Sequence, residues 1–312
     1  MANLTNPETT PDVKSKKVWT TLITNTAYLS GLLTLDFSLK QHRSKYPLVA
    51  LFTDTFPAEG HRALDIRRIP KKKVNYLLPS VHKDFTNDPR FYDCWSKLTP
   101  FSLEEYERVV QLDSDMLVLQ NMDELMDIEL DPGDGDGTGN RVFAASHACV
   151  CNPLKKPHYP RNWVPENCAF TSQHTEPIAA QTRGAPASAG LGMPNGGLQV
   201  VNPSKKVYNL ILERLSSGAI DSYEFADQSL LSDVFYGRWV TLPYTYNALK
   251  TLRTVHEPIW QDDQVKNIHY ILSPKPWDEE PGKESQETHK WWIKANLDRL
   301  ADEKKEGIDD GF

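Results

Sequence analysis

The order of apolar runs near the N-terminus constrains the fold most. Val18-Trp-Thr-Thr-Leu-Ile23 is short and rich in β-branched and aromatic residues, as a strand requires. Thr24-Asn25-Thr26 breaks it. Ser30 then reads as a helix cap, and Leu32, Leu33, Leu35, Phe37 and Leu39 supply apolar faces as far as His42. Pro47-Leu-Val-Ala-Leu-Phe52 is apolar without alternation, the pattern of a strand covered on both faces. Glu59 to Ile66 reads as a second helix. Strands that alternate with helices pair in parallel through right-handed crossovers. The expected fold is therefore α/β: a Rossmann-like, mostly parallel sheet flanked by helices. A length of 312 residues suits one such domain with insertions.

The rest of the chain divides around that body. Residues 1–17 are polar with Pro7 and Pro11 and read as a disordered lead, which includes the sequon Asn3-Leu4-Thr5. Residues 18–278 form the expected domain. Within it, 147–190 is rich in proline, histidine and aromatic residues, lacks periodicity, and reads as an insertion or lid loop. Lys71-Lys72-Lys73 reads as a solvated loop. Phe91 to Tyr106 reads as helical with a break at Pro100, leading into a strand that ends at Asp113. Leu117-Val-Leu119, Val142 to Ala145 and Leu198 to Val201 are further strands. Ser204 caps an amphipathic helix with Val207, Leu210, Ile211 and Leu215 on one face, and Phe225 to Phe235 is another helix. Residues 279–312 read as a charged tail with a short helix around Trp291-Trp292. Asp131 to Gly139 lacks the acid spacing and closing glutamate of a calcium loop.

Charge narrows the partners. The net charge is −7 with no concentrated basic patch, which argues against nucleic acid. No run approaches the ~20 apolar residues of a membrane helix, and the lead has no apolar core of a signal peptide. The expectation is a cytoplasmic protein that does not engage a membrane, its four cysteines reduced. A second copy of the chain, in a homodimer, is a candidate partner.

The chemistry centres on Asp113-Ser114-Asp115, two carboxylates where a strand leaves the sheet. In open α/β sheets ligands bind beyond the carboxyl ends of strands. Carboxylates are the hard donors that hold Mg²⁺ or Mn²⁺ against phosphates. Five other segments fall where strands end: Thr24-Asn25 with Tyr28, Lys97, Asn195-Gly196-Gly197, Asp227-Gln228, and His269 with Lys275-Pro-Trp277. Each alone reads first as a turn, a surface charge, an exposed helix start or a satisfied histidine. Together they supply what a nucleotide-sugar site needs. Asp113, Asp115 and a neutral His269 imidazole would coordinate one Mn²⁺ (or Mg²⁺), Lys275 would neutralise a departing diphosphate, and Gly196 and Gly197 would admit close approach of backbone to a sugar.

From Val18 to Trp292 the chain resembles the glycogenin and galactinol synthase family of retaining glycosyltransferases. The resemblance rests on motifs in family order. They are Thr24-Asn-Thr-Ala-Tyr28 with Ser38-Leu-Lys-Gln-His42, Trp95-Ser-Lys-Leu98, Leu112-Asp-Ser-Asp-Met-Leu-Val-Leu119 with Asn121-Met-Asp-Glu-Leu125, and Asn195-Gly-Gly197 with Asn202-Pro-Ser204. Phe225-Ala-Asp-Gln228, Leu242-Pro-Tyr-Thr-Tyr-Asn247, His269-Tyr and Lys275-Pro-Trp277 complete the set. Pro47-Leu-Val-Ala, Cys149-Val-Cys151 and the stretch to Lys250 are more similar to galactinol synthase. The resemblance implies a GT-A type fold with an acceptor-side insertion. It implies Mn²⁺ on Asp113, Asp115 and His269, with uridine held by Leu22, Thr24, Asn25 and Tyr28. Ser114 would lie along the donor and Lys275 on the diphosphate. Lys97, Asn195, Gly196, Gly197, Asp227 and Gln228 would surround the donor sugar, with Asp227 and Gln228 in the catalytic roles. The implied reaction moves a hexose from a UDP-sugar, with retention, to a small polyol or glycan acceptor such as an inositol. A glycogenin-type glucosyltransferase building a glucan primer and a silent UDP-sugar-binding protein are the alternatives.

Three departures from the family pattern stand out. Ala248 to His256 has no tyrosine for self-glucosylation. Ser146-His147 stands where the family often has an aspartate, and Leu272-Ser-Pro274 replaces a usual glycine. His147, Cys149, Cys151, His158, Cys168 and His174 are candidates for a second metal site. The Cys-x-Cys spacing differs from that of most structural zinc sites and favours free thiols.

Overall fold

A computed structural model describes residues 13–80 and 91–312. Most of the expected lead, including the sequon, therefore lies outside the described residues. Just before the first strand the Lys16 carbonyl accepts the amides of Glu107 and Arg108 at 2.8 and 3.2 Å, so the chain is already in register there. β1 (Lys17–Ile23) runs into a 3₁₀ turn over Thr26–Tyr28, whose N-terminus is capped by the Asn25 side chain accepting the Ala27 amide at 2.9 Å. The turn continues directly into α1 (Leu29–Gln41). Ser30 therefore lies inside the helix and does not cap it, because Asn25 has already met the orphan amides upstream.

β2 (Leu48–Phe52), α2 (Ala58–Ile66) and β3 (Lys71–Lys73) follow. The lysine triplet is thus an edge strand, parallel to β2, and not a solvated loop. Lys71 pairs with Asp65 and Lys72 with Glu105, and charge along an edge discourages addition of a further strand. α3 (Phe91–Cys94) passes into a 3₁₀ segment over Trp95–Ser102 with Pro100 inside it. The helical stretch ends there and does not reach Tyr106, since proline lacks the amide that a regular ladder needs. β4 (Arg108–Leu112), β5 (Met116–Val118) and β6 (Phe143–Ala145) come next. After β6 the chain makes turns and one short helix, α4 (Pro177–Ala180), before β7 (Leu198–Val201). Ser204 accepts the Val207 amide at the start of α5 (Lys205–Leu215). Val207, Ile211 and Leu215 are buried, whereas Leu210 is only half-buried. α6 (Ala226–Val234), β8 (Val240–Thr241), β9 (Ala248–Leu249), α7 (Leu252–Val255), β10 (Asn267–His269) and α8 (Glu287–Lys305) complete the order.

The main sheet has the order β3-β2-β1-β4-β7-β6-β8, and β5-β10-β9 form a smaller one. β1 lies between β2 and β4, parallel to both, while β7 runs against its neighbours β4 and β6. The sheet is covered on both faces. Val18, Val49, Val109 and Val201 pack into one cluster, and Trp19, Leu48, Val110 and Val200, their neighbours in sequence, pack into another. β4 belongs to the large sheet and β5 to the small one, so Asp113-Ser114-Asp115 is the turn that carries the chain between them. The order of strands reverses between β1 and β4, and their carboxyl ends open a crevice there.

The C-terminal stretch holds more structure than a short helix in a charged tail. α8 packs on α1, Thr34 Oγ1 donates to Asn296 Oδ1 at 2.9 Å, and Trp292 and Ile293 are buried. Arg299 is buried as well, paired with Glu303 at 2.7 Å. The helix turns charge to solvent and fixes itself through a few large contacts. Among the described residues, no helix is long and apolar enough to cross a membrane. Trp292→Ala should cost about 3–5 kcal/mol and lower Tm on the order of 10 °C in calorimetry, and an unchanged Tm would mean that α8 does not stabilise the body.

Candidate active site

The acidic turn is fixed at both ends by backbone. The Asp113 amide donates to the Gly197 carbonyl at 2.8 Å, extending the β4–β7 ladder by one bond. The Tyr270 amide donates to the Asp115 carbonyl at 2.9 Å, beside the His269–Met116 pair of β10 and β5. One acid is thus tied to β7 and the other to β10, and His269 is drawn in from far along the chain. His269 Nε2 stands 3.2 Å from Asp115 Oδ1 and 3.6 Å from Asp113 Oδ2. The three donor atoms lie within 4.8 Å of one another.

Asn247 decides which nitrogen of His269 faces the acids. Its Oδ1 lies 2.9 Å from His269 Nδ1 and holds that side of the ring, so Nε2 is the nitrogen turned toward the acids. Asn247 Nδ2 in turn donates to Asn195 Oδ1, which accepts the Gly197 amide at 3.0 Å. Asn247 is fully buried. Sequence reasoning gave it no role, although it ends a recognised motif. Its polar side chain beside a buried strand was the available signal.

Two lysines balance the acids. Lys97 Nζ donates to Asp113 Oδ2 at 2.7 Å, and Lys275 Nζ donates to Asp115 Oδ2 and to the Tyr270 carbonyl. Burial alone would push Asp115 upward, but Lys275 and His269 outweigh it and hold the carboxyl well below its usual range. Burial likewise works against the Lys97 ammonium, and Asp113, Cys94 and Asp227 overcome it, so its pKa sits well above the ordinary value. Both ion pairs are formed, and the low pKa of Asp115 keeps that acid ionised.

Asp227 stands across the site in the first turn of α6. The preceding residue, Ala226, takes φ +39°, a left-handed conformation costly for a residue with a side chain. Asp227 is 3% exposed, and its Oδ2 has no hydrogen-bond partner among the described residues. Burial raises its pKa to about 7, with Asp113 adding to the rise against the pull of Lys97. Gln228 Oε1 accepts from Gly196 N at 2.9 Å and from Asn195 Nδ2 at 3.1 Å. The two glycines make room for side chains. A Cβ on Gly196 would fall 2.0 Å from Asp227 Oδ2, and one on Gly197 would fall 2.4 Å from His269 Cε1.

These groups surround a cavity of about 270 Å³. Leu22, Thr24, Asn25 and Tyr28 line one end. Thr24 Oγ1 donates to Asp93 at 2.8 Å, Ser114 Oγ lies 2.9 Å from Thr21 Oγ1, and Tyr28 meets Trp277 edge-on at 5.5 Å. Lys97, Asp113, Asp115, Asn195, Gly197, Gln228, His269 and Lys275 also reach the cavity, whereas Gly196 and Asp227 lie just behind its wall. The far wall comes from the segment between β6 and β7: Tyr159 and Trp163 pack on Phe225, with Trp163 and Phe225 stacked at 4.0 Å. Leu272, where the sequence lacks the usual glycine, takes φ +63° and also lines the cavity.

The buried Asp227 has a measurable signature. Its folded pKa of about 7 lies above the ordinary 3.8, so ionisation works against folding as pH rises through that interval and no further beyond it. Asp227→Asn should therefore raise the Tm of the metal-free protein more at about pH 8 than at about pH 4.5, and equal gains at both would show that the carboxyl is solvated.

Comparison with known proteins places the family and the fold. The family model for glycosyl transferase family 8 matches residues 20–280. Galactinol synthase 1 of Solanum lycopersicum is 26% identical over 304 residues, spanning 92% of this chain and 84% of its own. Galactinol synthase 7 of Arabidopsis thaliana is 26% identical over 302 residues, 92% and 83% of the two chains. Among solved structures, the galactosyltransferase LgtC in complex with donor and acceptor sugar analogues superposes with a TM-score of 0.59 at 14% identity, over 90% of this chain and 96% of its own. The bifunctional glycosyltransferase WbbM gives 0.60 at 18% identity over 93% of this chain, which spans 52% of WbbM. The fold is that of GT-A glycosyltransferases, and the chain belongs to glycosyl transferase family 8.

Proposed function

We propose that the protein transfers a hexose from a UDP-sugar, with retention of configuration, to a small hydroxylated acceptor such as an inositol. The carrying observation is the convergence of Asp113, Asp115 and His269 at the crevice between β1 and β4, with Asp227 buried just behind the wall of the same cavity. The residues fit a divalent cation. Two carboxylate oxygens and one imidazole nitrogen are a donor set for Mn²⁺ (or Mg²⁺), and Asn247 holds the imidazole with Nε2 toward the acids. The ion, when bound, would stabilise the negative charge that develops on the departing diphosphate.

The protein's own groups supply the rest. Lys275 and Lys97 pair with the acids in the free protein. Once a cation takes over that charge, both ammonium groups are free to donate to phosphate and sugar oxygens. Leu22, Thr24, Asn25 and Tyr28, at the end of β1, are placed to hold the base and ribose. Asn195 and Gln228, held in place by the amides of Gly197 and Gly196, offer polar groups to the sugar. Asp227 brings an unpartnered carboxylate oxygen, which would stabilise positive charge developing at the sugar carbon. The aromatic wall of Tyr159 and Trp163 suits the apolar face of a ring-shaped acceptor. Relatives named galactinol synthase, aligned over nine-tenths of the chain, support an inositol acceptor. Four free cysteines accord with a cytoplasmic location.

Incubation with UDP-galactose or UDP-glucose and Mn²⁺ should release UDP only when myo-inositol is present, with the intact mass of the protein unchanged. Addition of hexose to the protein itself would instead favour the primer-building reading, and UDP binding without turnover the silent one. Asp227→Asn should lower kcat by roughly 100-fold or more with the donor KM within about threefold, the pattern of a group that acts in the transition state. Asn247→Ala should raise the Mn²⁺ concentration for half-maximal rate by about 10–100-fold and leave kcat at saturating Mn²⁺ nearly intact.

A further inference from the structure

The segment between β6 and β7 contains a second convergence of donor atoms. Cys149, Cys151 and Cys168 all point at His256, which caps the end of α7. His256 Nε2 lies 3.5, 3.3 and 3.4 Å from the three sulfurs, and the four donor atoms are within 4.8 Å of one another. Cys151, Cys168 and His256 are buried, and no disulfide joins any pair.

Hydrogen bonding does not account for this arrangement. A neutral imidazole nitrogen offers one lone pair or one proton, so it satisfies one thiol and not three. A tetrahedral ion does account for it. With Zn–S near 2.3 Å and Zn–N near 2.0–2.1 Å, nitrogen and each sulfur would stand about 3.5 Å apart. The observed spacings match that edge length. The other ring nitrogen is engaged as in metal-bound histidines: His256 Nδ1 lies 2.9 Å from His174 Nε2. The Cys-x-Cys spacing, unpromising in sequence, works because both sulfurs reach the same His256 nitrogen. Val150 turns into the core and its two flanking cysteines project together. The other candidate histidines are placed elsewhere. His147 Nε2 faces the carbonyls of Ala185 and Pro186, and His158 lies against Tyr159.

We propose that Cys149, Cys151, Cys168 and His256 bind one structural Zn²⁺, distinct from the carboxylate site, which staples the acceptor-side segment to the body of the domain. Three soft thiolates and an imidazole in a closed set of four select zinc over Mn²⁺ or Mg²⁺ and leave no coordination position for substrate. Loading replaces the thiol protons, which pass to solvent, and involves no change of oxidation state. The segment needs such a staple. It has turns and one four-residue helix in place of regular structure, and its residues Tyr159 and Trp163 form a wall of the cavity. Zinc would hold that wall by joining positions 149, 151 and 168 to 256.

The full-length protein purified without added metal should contain one zinc per chain by elemental analysis. Asp115→Asn and Cys94→Ser should keep it, and Cys151→Ser and Cys168→Ser should lose it. Where a cysteine variant fails to fold, His174→Ala, which leaves all four ligands in place, should bind zinc about 10–100-fold more weakly in a chelator competition. Cobalt-exchanged protein should show the intense absorption of tetrahedral cobalt–thiolate, and removal of zinc should lower Tm by roughly 5–10 °C. Native protein with less than a tenth of a zinc per chain and all its thiols open to a thiol reagent would overturn the proposal. So would iron or copper in stoichiometric amount, or zinc that persists in the cysteine variants.

Discussion

Charge balance around the Asp113-Ser114-Asp115 turn is the constraint on which the site depends. Asp113 and Asp115 lie close together at the mouth of a buried crevice, and Asp227 is buried across from them. Desolvated like charges repel, and at this depth the repulsion is not screened away. The protein answers with two cations brought from distant segments, Lys97 onto Asp113 and Lys275 onto Asp115. Asp227 has no such partner within hydrogen-bonding distance among the described residues, and burial pushes its carboxyl toward the neutral form. A divalent ion would relax the same tension in a different way. The free site therefore reads as one arrangement of charge poised to exchange with another.

The same turn sets the architecture. β4 ends in the seven-stranded sheet and β5 begins in the three-stranded one, so the acids sit where two sheets are sewn together. Register does the positioning: Asp113 is bonded to the end of β7, and Asp115 to the residue after His269. A slip of one residue in either ladder would turn a donor away from the cluster. The glycine pair shows how tight the junction is. Read in sequence as room for a sugar, it makes room in the structure for Asp227 and His269.

The segment between β6 and β7 follows a different logic. Between β6 and β7 there is little regular structure, and order comes from an aromatic stack and a thiol–imidazole cluster. Such a segment can change its lining without disturbing the sheet, which is how a shared fold accommodates different acceptors.

Local pattern alone determined the alternation of strands and helices, the Ser204 cap, the position of the acid pair at a strand end and the Asp227-Gln228 segment at a helix start. Each depends on residues a few positions apart, where sterics, capping and side-chain period act directly. Tertiary structure decided the rest. It made the lysine triplet an edge strand, started α1 before Ser30 and docked α8 on α1. It brought Asn247 behind His269 and His256 among three cysteines that lie some hundred residues earlier. No local rule encodes such meetings, because they depend on which strands pair and in which register, and that is settled by packing of the whole chain.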